Sequence, residues 1–316
     1  MDVEKCHNEF AVEDPTRGHL AGEDSTEDTW IHASPFSAIM RNPPMKLILS
    51  RKGFDSSPAY GACASPILPD GEMISLPIPH QRGTTTFDGL RHRGIDVGQL
   101  VSELTGGRVK GADPAHLDPD LDPTARPRHR GWRAAFGQDS AAQRHLERQG
   151  VGAGDLFLFF GWFREVVKVR GRYGYRPGAP DRHVLFGWLR VGRVLRPGPD
   201  RVPPWLRDHP HAAHDSAPHN TIYLADDAAG AGVFRQFRPD LQLTDAGSRQ
   251  RSLWRMPADF LPGARPPLTY HRDPTRWGSD GKFCRLQSVA KGQEFVLDMA
   301  AYPGVQRWTR RLLGKK

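Results

Sequence analysis

The apolar positions of the chain fall into short runs separated by polar segments rich in glycine and proline. The run over 154–163 is apolar on both faces of an extended chain, which is typical of a strand buried in the centre of a sheet. A second run, over 183–194, predicts a partner strand, with a charged hairpin tip or loop over 167–175 between the two. The apolar run that starts at Met45 predicts a further buried strand.

Shorter segments complete the predicted fold. Extended pieces and short strands are expected over 65–71, 74–79, 221–224, 232–234 and 293–297. Helices are expected over 96–104, over 140–149 after a cap at Asp139, and over 305–313. Strands predominate and do not alternate strictly with helices. The pattern therefore predicts a strand-rich α+β fold, with a curved or barrel-like mixed sheet and a few flanking helices.

The chain changes character at Met45. Residues 1–44 are polar and acidic, so we expect a disordered extension there, and Met45 is a candidate for the native start. Residues 45–316 are expected to form a single domain.

No apolar stretch approaches the roughly 18 residues of a membrane span, so we expect a cytoplasmic protein with no membrane partner. The three cysteines lie far apart and predict neither a disulfide framework nor a cysteine-built zinc site.

Charge separates the two parts further. The whole chain has a formal net charge of +8, but residues 1–44 hold nine acidic and three basic residues. The remaining 27 acidic and 41 basic residues give residues 45–316 a net charge of about +14. This surplus favours a polyanionic partner such as a nucleotide or nucleic acid. The basic residues are scattered, however, and an arginine-rich composition without functional meaning is an equally good account of them.

The common catalytic signatures are absent: the sequence has no Walker loop, GxGxxG, HExxH or GxSxG motif, and no deaminase-type zinc motif. The first candidate site is therefore the charged turn after the Met45 strand. Arg51 and Lys52 are candidates to hold a phosphate, with Ser56 as a further substrate contact. Asp55 is a candidate acid or base. A solvated turn is the competing interpretation.

A second candidate site lies in the segment 116–120. Alternation along an extended chain places His116, Asp118 and Asp120 on one side, a spacing suited to acid–base work or to a metal. A turn built on Asp-Pro is the competing interpretation.

Single residues elsewhere add to the candidate set. The amides of Gln138 and Asn220 can read a base edge, and Trp162 can stack on a base, although tryptophans beside apolar strands are more often core. The histidine-rich segment 209–219 can bind zinc or iron. Because it lacks helical ligand spacing, we expect a loop there and predict no metal site, and the cofactor stays open.

Several short motifs in chain order also resemble a known family. They are Ser50-Arg51-Lys52-Gly53-Phe54-Asp55-Ser56, Ser65-Pro66-Ile67, Leu76-Pro77-Ile78-Pro79, His116-Leu117-Asp118-Pro119-Asp120, Phe136-Gly137-Gln138, the segment 154–164, Phe186-Gly187-Trp188, Asn220-Thr221-Ile222-Tyr223, Ser252-Leu253-Trp254 and Gly292-Gln293-Glu294-Phe295-Val296. Together they resemble the third nucleotide modification associated domain family over nearly all of 45–316. The resemblance implies an association with nucleotide or DNA-base modification systems of bacteria and phages, and with other components of such systems. It implies no particular reaction.

Two functions from different classes remain open. The first is a protein that modifies a nucleotide or a base in DNA, with Arg51 and Lys52 on phosphate and Asp55, His116 or Asp118 in acid–base work. The second is a non-catalytic reader similar to the PUA and EVE barrels, which grips a modified base of DNA or RNA between tryptophans. A metal-dependent enzyme built on the histidine segment is a third interpretation. Whether the protein is an enzyme is not decided by the sequence.

Overall fold

The computed structural model describes residues 46–54, 60–80, 83–213, 217–226, 230–290 and 292–314. The strands are β1 (Lys46–Arg51), β2 (Ser65–Ile67), β3 (Ile78–Pro79), β4 (Arg91–His92), β5 (Ile95–Asp96), β6 (Ala115–His116), β7 (Ala135–Gln138), β8 (Leu156–Val169), β9 (Arg172–Tyr175), β10 (Arg182–Leu195), β11 (Thr221–Ala225), β12 (Ala231–Val233), β13 (Leu253–Pro257), β14 (Trp277–Ser279), β15 (Phe283–Gln287) and β16 (Glu294–Asp298). Within these residues the α-helices are α1 (Val97–Thr105), α2 (Ser140–Arg148) and α3 (Pro303–Leu312). The predicted α+β class is confirmed. None of these helices is long and apolar enough to cross a membrane.

One mixed sheet of nine strands organises the described part of the chain. Its main path runs β16-β1-β8-β10-β11-β7, with β2 and β9 paired to β8 and β12 paired to β10. Strand β1 is parallel to β8 and antiparallel to β16, and β8 is antiparallel to β10. A smaller sheet has the order β13-β15-β14, and two short ladders join β3 to β6 and β4 to β5.

The two apolar runs form the centre of this sheet, as their sequence predicts. The first six residues of β8 are all buried, because that strand has β1 and β10 on either side and side chains packed on both faces. Phe157, Phe159 and Phe160 are completely buried there. Phe157 and Phe159 both contact the ring of Phe136 on β7, with ring centroids 5.0 and 5.1 Å away. The core is thus continuous from the middle of the sheet to β7.

The sheet is curved, but it does not close into a barrel. Its path ends at β16 and β7, and the side chains of these two strands meet where Gln138 Nε2 donates to Glu294 Oε1 at 2.6 Å. No backbone ladder joins β16 to β7 within the residues described. The barrel-like alternative is therefore wrong and the curved one right. The two edge strands, of four and five residues, approach each other through side chains alone.

The helix over Ser140–Arg148 starts where the sequence predicts, Val97–Thr105 starts one residue later than predicted and Pro303–Leu312 two residues earlier, and the caps of the first two helices differ. The carboxylate of Asp96 accepts a hydrogen bond from Gln99 N–H at 2.9 Å and caps α1. Asp139 occupies the N-cap position of α2, yet its side chain makes no capping hydrogen bond. The predicted hairpin tip over 167–175 also differs, because β8 runs on to Val169 and pairs with β9.

Candidate functional site

A polar cleft of about 310 Å³ lies where several of these elements end. Its lining residues are Arg51, Lys52, Gly53, Ile78, His80, His116, Asp118, Gln138, Asp139, His211 and Gln293. The end of β1 supplies the cations, β6 and the chain after it supply His116 and Asp118, and the end of β7 supplies Gln138. Distant parts of the sequence therefore contribute charged and polar groups to one cavity, which is typical of ligand sites.

A buried ion pair stands on the cationic side of the cleft. Lys52 Nζ lies 3.1 Å from Glu294 Oε1, and the two side chains are 10% and 1% exposed. The same Glu294 oxygen accepts the hydrogen bond from Gln138, and the Lys52 ammonium also lies 4.5 Å from the ring centre of Phe136. The second oxygen of Glu294 is buried and has no hydrogen-bond partner among the described residues. The carboxylate of Glu294 thus balances the charge of Lys52 and also fixes the side-chain amide of Gln138.

Asp118 is held by one of its two carboxylate oxygens. Gly137 N–H donates to Asp118 Oδ1 at 2.7 Å, and His209 Nε2 faces the same oxygen at 3.4 Å. The other oxygen, Oδ2, faces His116 Nε2 at 3.9 Å and His211 Nε2 at 3.8 Å. A buried carboxylate is therefore surrounded by three imidazoles.

His211 comes from a short 3-10 turn, Pro210–Ala213, that packs against β7 and β11. Its Nδ1 lies 2.8 Å from Asn220 Oδ1, and Asn220 Nδ2 donates to the carbonyl oxygen of His211 at 2.8 Å. The imidazole also lies directly over Gly137, where an added Cβ would be only 2.3 Å from ring carbons of His211. Glycine at this position lets the histidine approach the strand.

Burial sets the protonation of these groups. It lowers the pKa of His116 to about 3, although the charge of Asp118 opposes the shift, and it lowers the pKa of His211 as well. Burial alone raises the pKa of Asp118, but the contact with His209 and the attraction of the imidazoles outweigh it, so that the net pKa lies below the ordinary value. At neutral pH the carboxylate of Asp118 therefore faces the neutral imidazoles of His116 and His211.

A mainly apolar pocket of about 90 Å³, which Arg91, Asp120 and Asp122 also line, adjoins the cleft. Leu76, Leu117, Phe186 and Phe234 are among the residues that line it. Asp118 and its neighbours on both sides border this pocket too, so the carboxylate stands between a polar space and an apolar one.

Five of the predicted site residues line the cleft together: Arg51, Lys52, His116, Asp118 and Gln138. Asn220 lies behind His211 rather than in the cavity lining. Trp162 lies elsewhere, with its Nε1 donating to Asp181 at 2.8 Å and the guanidinium of Arg251 over its ring. Asp55 and Ser56 fall outside the described residues.

Sequence reasoning missed several residues of the site. Glu294 belongs to a predicted strand and to a family motif, and Gly137 to a family motif, but the sequence assigns neither residue to the site. The histidine segment was interpreted as a loop, and the structure shows that His209 and His211 of it are buried. A glutamate directly before the apolar run Phe295-Val296-Leu297 of a predicted buried strand is a signal that could have identified Glu294, because a buried carboxylate needs a partner.

The donor atoms of His116, Asp118 and His211 all lie within 4.8 Å of one another, close enough for the three residues to hold a metal ion. Within the part of the chain that the structure describes, no other group of three or more histidine, cysteine or acidic side chains has its donor atoms this close together. Its members come from β6, the chain after β6 and the 3-10 turn.

Comparisons with known proteins agree with the motifs. No curated protein and no solved structure matches the chain significantly. A family model described as nucleotide modification associated domain 3 matches residues 46–298, which include every element from β1 to β16 and all the cleft residues named above. The match covers most of the chain, and the chain therefore belongs to the nucleotide modification associated domain 3 family, with a role associated with nucleotide modification.

Proposed function

We propose that the cleft binds a nucleotide or a base of DNA and that the protein chemically modifies it. The observation that carries the proposal is the position of Asp118, which borders both the polar cleft and the apolar pocket. A nucleotide has the same two parts, a charged phosphate and a flat base with apolar faces. The family match supports this choice of ligand.

The cationic side of the cleft suits the phosphate. Arg51 and Lys52 line it, and guanidinium and ammonium groups form the strongest hydrogen bonds to phosphate oxygens. We assign the phosphate contacts to Arg51 and Lys52, and the orientation of the substrate to Lys52 and Gln138, which Glu294 holds together. The net charge of about +14 over residues 45–316 favours approach of a polyanion.

The acid–base role falls to His116 and Asp118. A base bound in the apolar pocket would lie against Asp118, which borders both spaces, and His116 faces Asp118 Oδ2 at 3.9 Å from the side of the polar cleft. A neutral imidazole can accept a proton, and the adjacent carboxylate stabilises the cation that forms. Asp55, predicted from the sequence for the same role, stays a candidate.

Mass spectrometry of nucleosides tests this proposal. DNA and free nucleotides from cells that express the wild-type protein should contain a nucleoside that is absent from cells expressing Asp118→Asn or His116→Ala. Asp240→Asn is the matched control, since Asp240 is 53% exposed and pairs with Arg238 at the surface. A product made equally well by Asp118→Asn would disprove the role of the cleft. No product together with binding of modified DNA would instead identify a reader.

A further inference from the structure

We infer that His116, Asp118 and His211 bind one divalent transition metal ion, of the Zn²⁺ or Fe²⁺ class, in the cleft. The three side chains provide two imidazole nitrogens and one carboxylate oxygen within 4.8 Å of one another. Imidazole favours zinc, iron, copper and nickel, and two histidines with one carboxylate leave coordination positions open for water or substrate. This inference goes beyond the proposed function, because metal binding can occur and be measured without a substrate. It also changes the roles of His116 and Asp118, since atoms that coordinate an ion cannot accept a proton, and with the ion bound these two residues would hold it instead of transferring protons.

The spacing of the donors fits an ion better than it fits direct hydrogen bonds. Asp118 Oδ2 lies 3.9 Å from His116 Nε2 and 3.8 Å from His211 Nε2, and both distances are too long for a hydrogen bond. Metal–ligand bonds of about 2.0–2.2 Å place neighbouring ligand atoms roughly 3–3.5 Å apart. A small inward movement of the side chains would therefore bring them into coordination. His116 Nε2 is the ring nitrogen that faces Asp118, and its Nδ1 is buried without a hydrogen-bond partner among the described residues.

The surroundings orient two of the three ligands. Gly137 N–H holds Asp118 Oδ1, which directs Oδ2 towards the imidazoles. Asn220 Nδ2 donates to a carbonyl oxygen, so its Oδ1 is the atom that faces His211. An amide oxygen only accepts, so His211 Nδ1 carries the proton and Nε2 presents its lone pair on the side of Asp118. Metal-binding histidines are commonly fixed in this way.

His209 is assigned a positioning role. Its Nδ1 accepts a hydrogen bond from the His211 backbone N–H at 3.2 Å, so in the neutral ring the proton is on Nε2. That N–H faces Asp118 Oδ1 at 3.4 Å. A protonated nitrogen cannot coordinate a metal, and His209 therefore supports the carboxylate instead of binding the ion.

Direct metal binding tests the inference. The full-length protein, freed of metal with a chelator, should bind one equivalent of Co²⁺ with visible absorption bands. X-ray absorption of the Zn²⁺ form should show imidazole ligands with oxygen, and no sulfur at about 2.3 Å. Sulfur ligands, or no binding by the wild type, would overturn the inference. Neither result depends on whether a variant folds.

Variants locate the site. His211→Ala and Asp118→Asn should each weaken Co²⁺ binding by at least about 100-fold, and Asn220→Ala, which acts through His211, by about 10–100-fold. His129→Ala is the control, because His129 is 64% exposed and its described contact is with Asp208. Circular dichroism shows which variants fold. Equal binding by wild type and His211→Ala would also overturn the inference. Metal binding without any modified nucleoside would leave this inference standing and count against the proposed function alone.

Discussion

At the scale of single residues, the pairing of Lys52 with Glu294 determines what the cationic side of the cleft can do. An ammonium with 10% exposure cannot stay charged at low cost unless a carboxylate neutralises it. Glu294 fulfils that requirement and also accepts the amide of Gln138. Three residues from β16, from the end of β7 and from just after β1 therefore form one unit, in which Lys52 and Gln138 both contact the same Glu294 oxygen.

This dependence predicts a large effect on stability. Glu294→Gln and Lys52→Met should each lower the free energy of unfolding by about 3–5 kcal/mol, since each leaves one buried charge without its partner. The double variant should lose less than the sum of the two single variants, because it leaves no unpaired charge. Urea unfolding of the four proteins measures this.

The surface pair Arg238–Asp240 is the control for that experiment. Its side chains are 49% and 53% exposed, so Asp240→Asn should change the free energy of unfolding by less than about 0.5 kcal/mol. Strict additivity of the Lys52 and Glu294 effects would show that the two residues do not interact.

At the scale of elements, the two long strands behave as their composition predicts, and the helix ends do not. β8 and β10 each have 14 residues and form the centre of the sheet. Asp96 and Asp139 both precede a helix and both occupy the N-cap position, but only Asp96 makes the capping hydrogen bond. The side chain of Asp139 lines the cleft, and the backbone N–H of Asp139 bonds Gln138 Oε1 at 3.2 Å.

The difference between the two aspartates is measurable. Asp96→Ala should lower the free energy of unfolding by about 1 kcal/mol, because it removes the hydrogen bond to Gln99 N–H. Asp139→Ala should change it by no more than about 0.5 kcal/mol, since no cap is lost. Chemical denaturation of both variants makes the comparison. Equal losses would mean that Asp139 caps α2 in solution.

At the scale of the whole molecule, the curvature of the sheet assembles the cleft, and the net charge favours binding of polyanions. Curvature brings β7 to β16, so that residues far apart in the sequence meet in one cleft. The charge of about +14 on residues 45–316 then attracts polyanions to the molecule that contains this cleft.

The charge yields a prediction that separates DNA from free nucleotide as the ligand. Affinity for a DNA duplex or single strand should fall by at least about tenfold between about 50 and 200 mM salt. Binding to several phosphates releases the cations condensed on them, and this release becomes less favourable as the salt concentration rises. A nucleoside monophosphate, with a single phosphate, should show a much weaker dependence. Fluorescence anisotropy at several salt concentrations measures both. DNA binding that is insensitive to salt would contradict an electrostatic role for the basic surface.

The sequence alone determined the fold class, the central strands, the approximate helix positions and the family. Those features depend on apolar periodicity and on local motifs, which act over a few neighbouring residues. Five cleft residues were likewise identified from their chemistry: Arg51, Lys52, His116, Asp118 and Gln138.

Only the tertiary structure decided how those residues combine. The pairing of Lys52 with Glu294 joins positions more than 200 residues apart, and the cluster of Asp118 with His211 joins a loop to a 3-10 turn. Whether a sheet closes, and whether a histidine is buried, depends on strand lengths and on packing between distant segments. A local sequence pattern does not contain that information. Which residues bury a given side chain depends on how distant segments pack in the folded chain, and not on the residues next to it in the sequence.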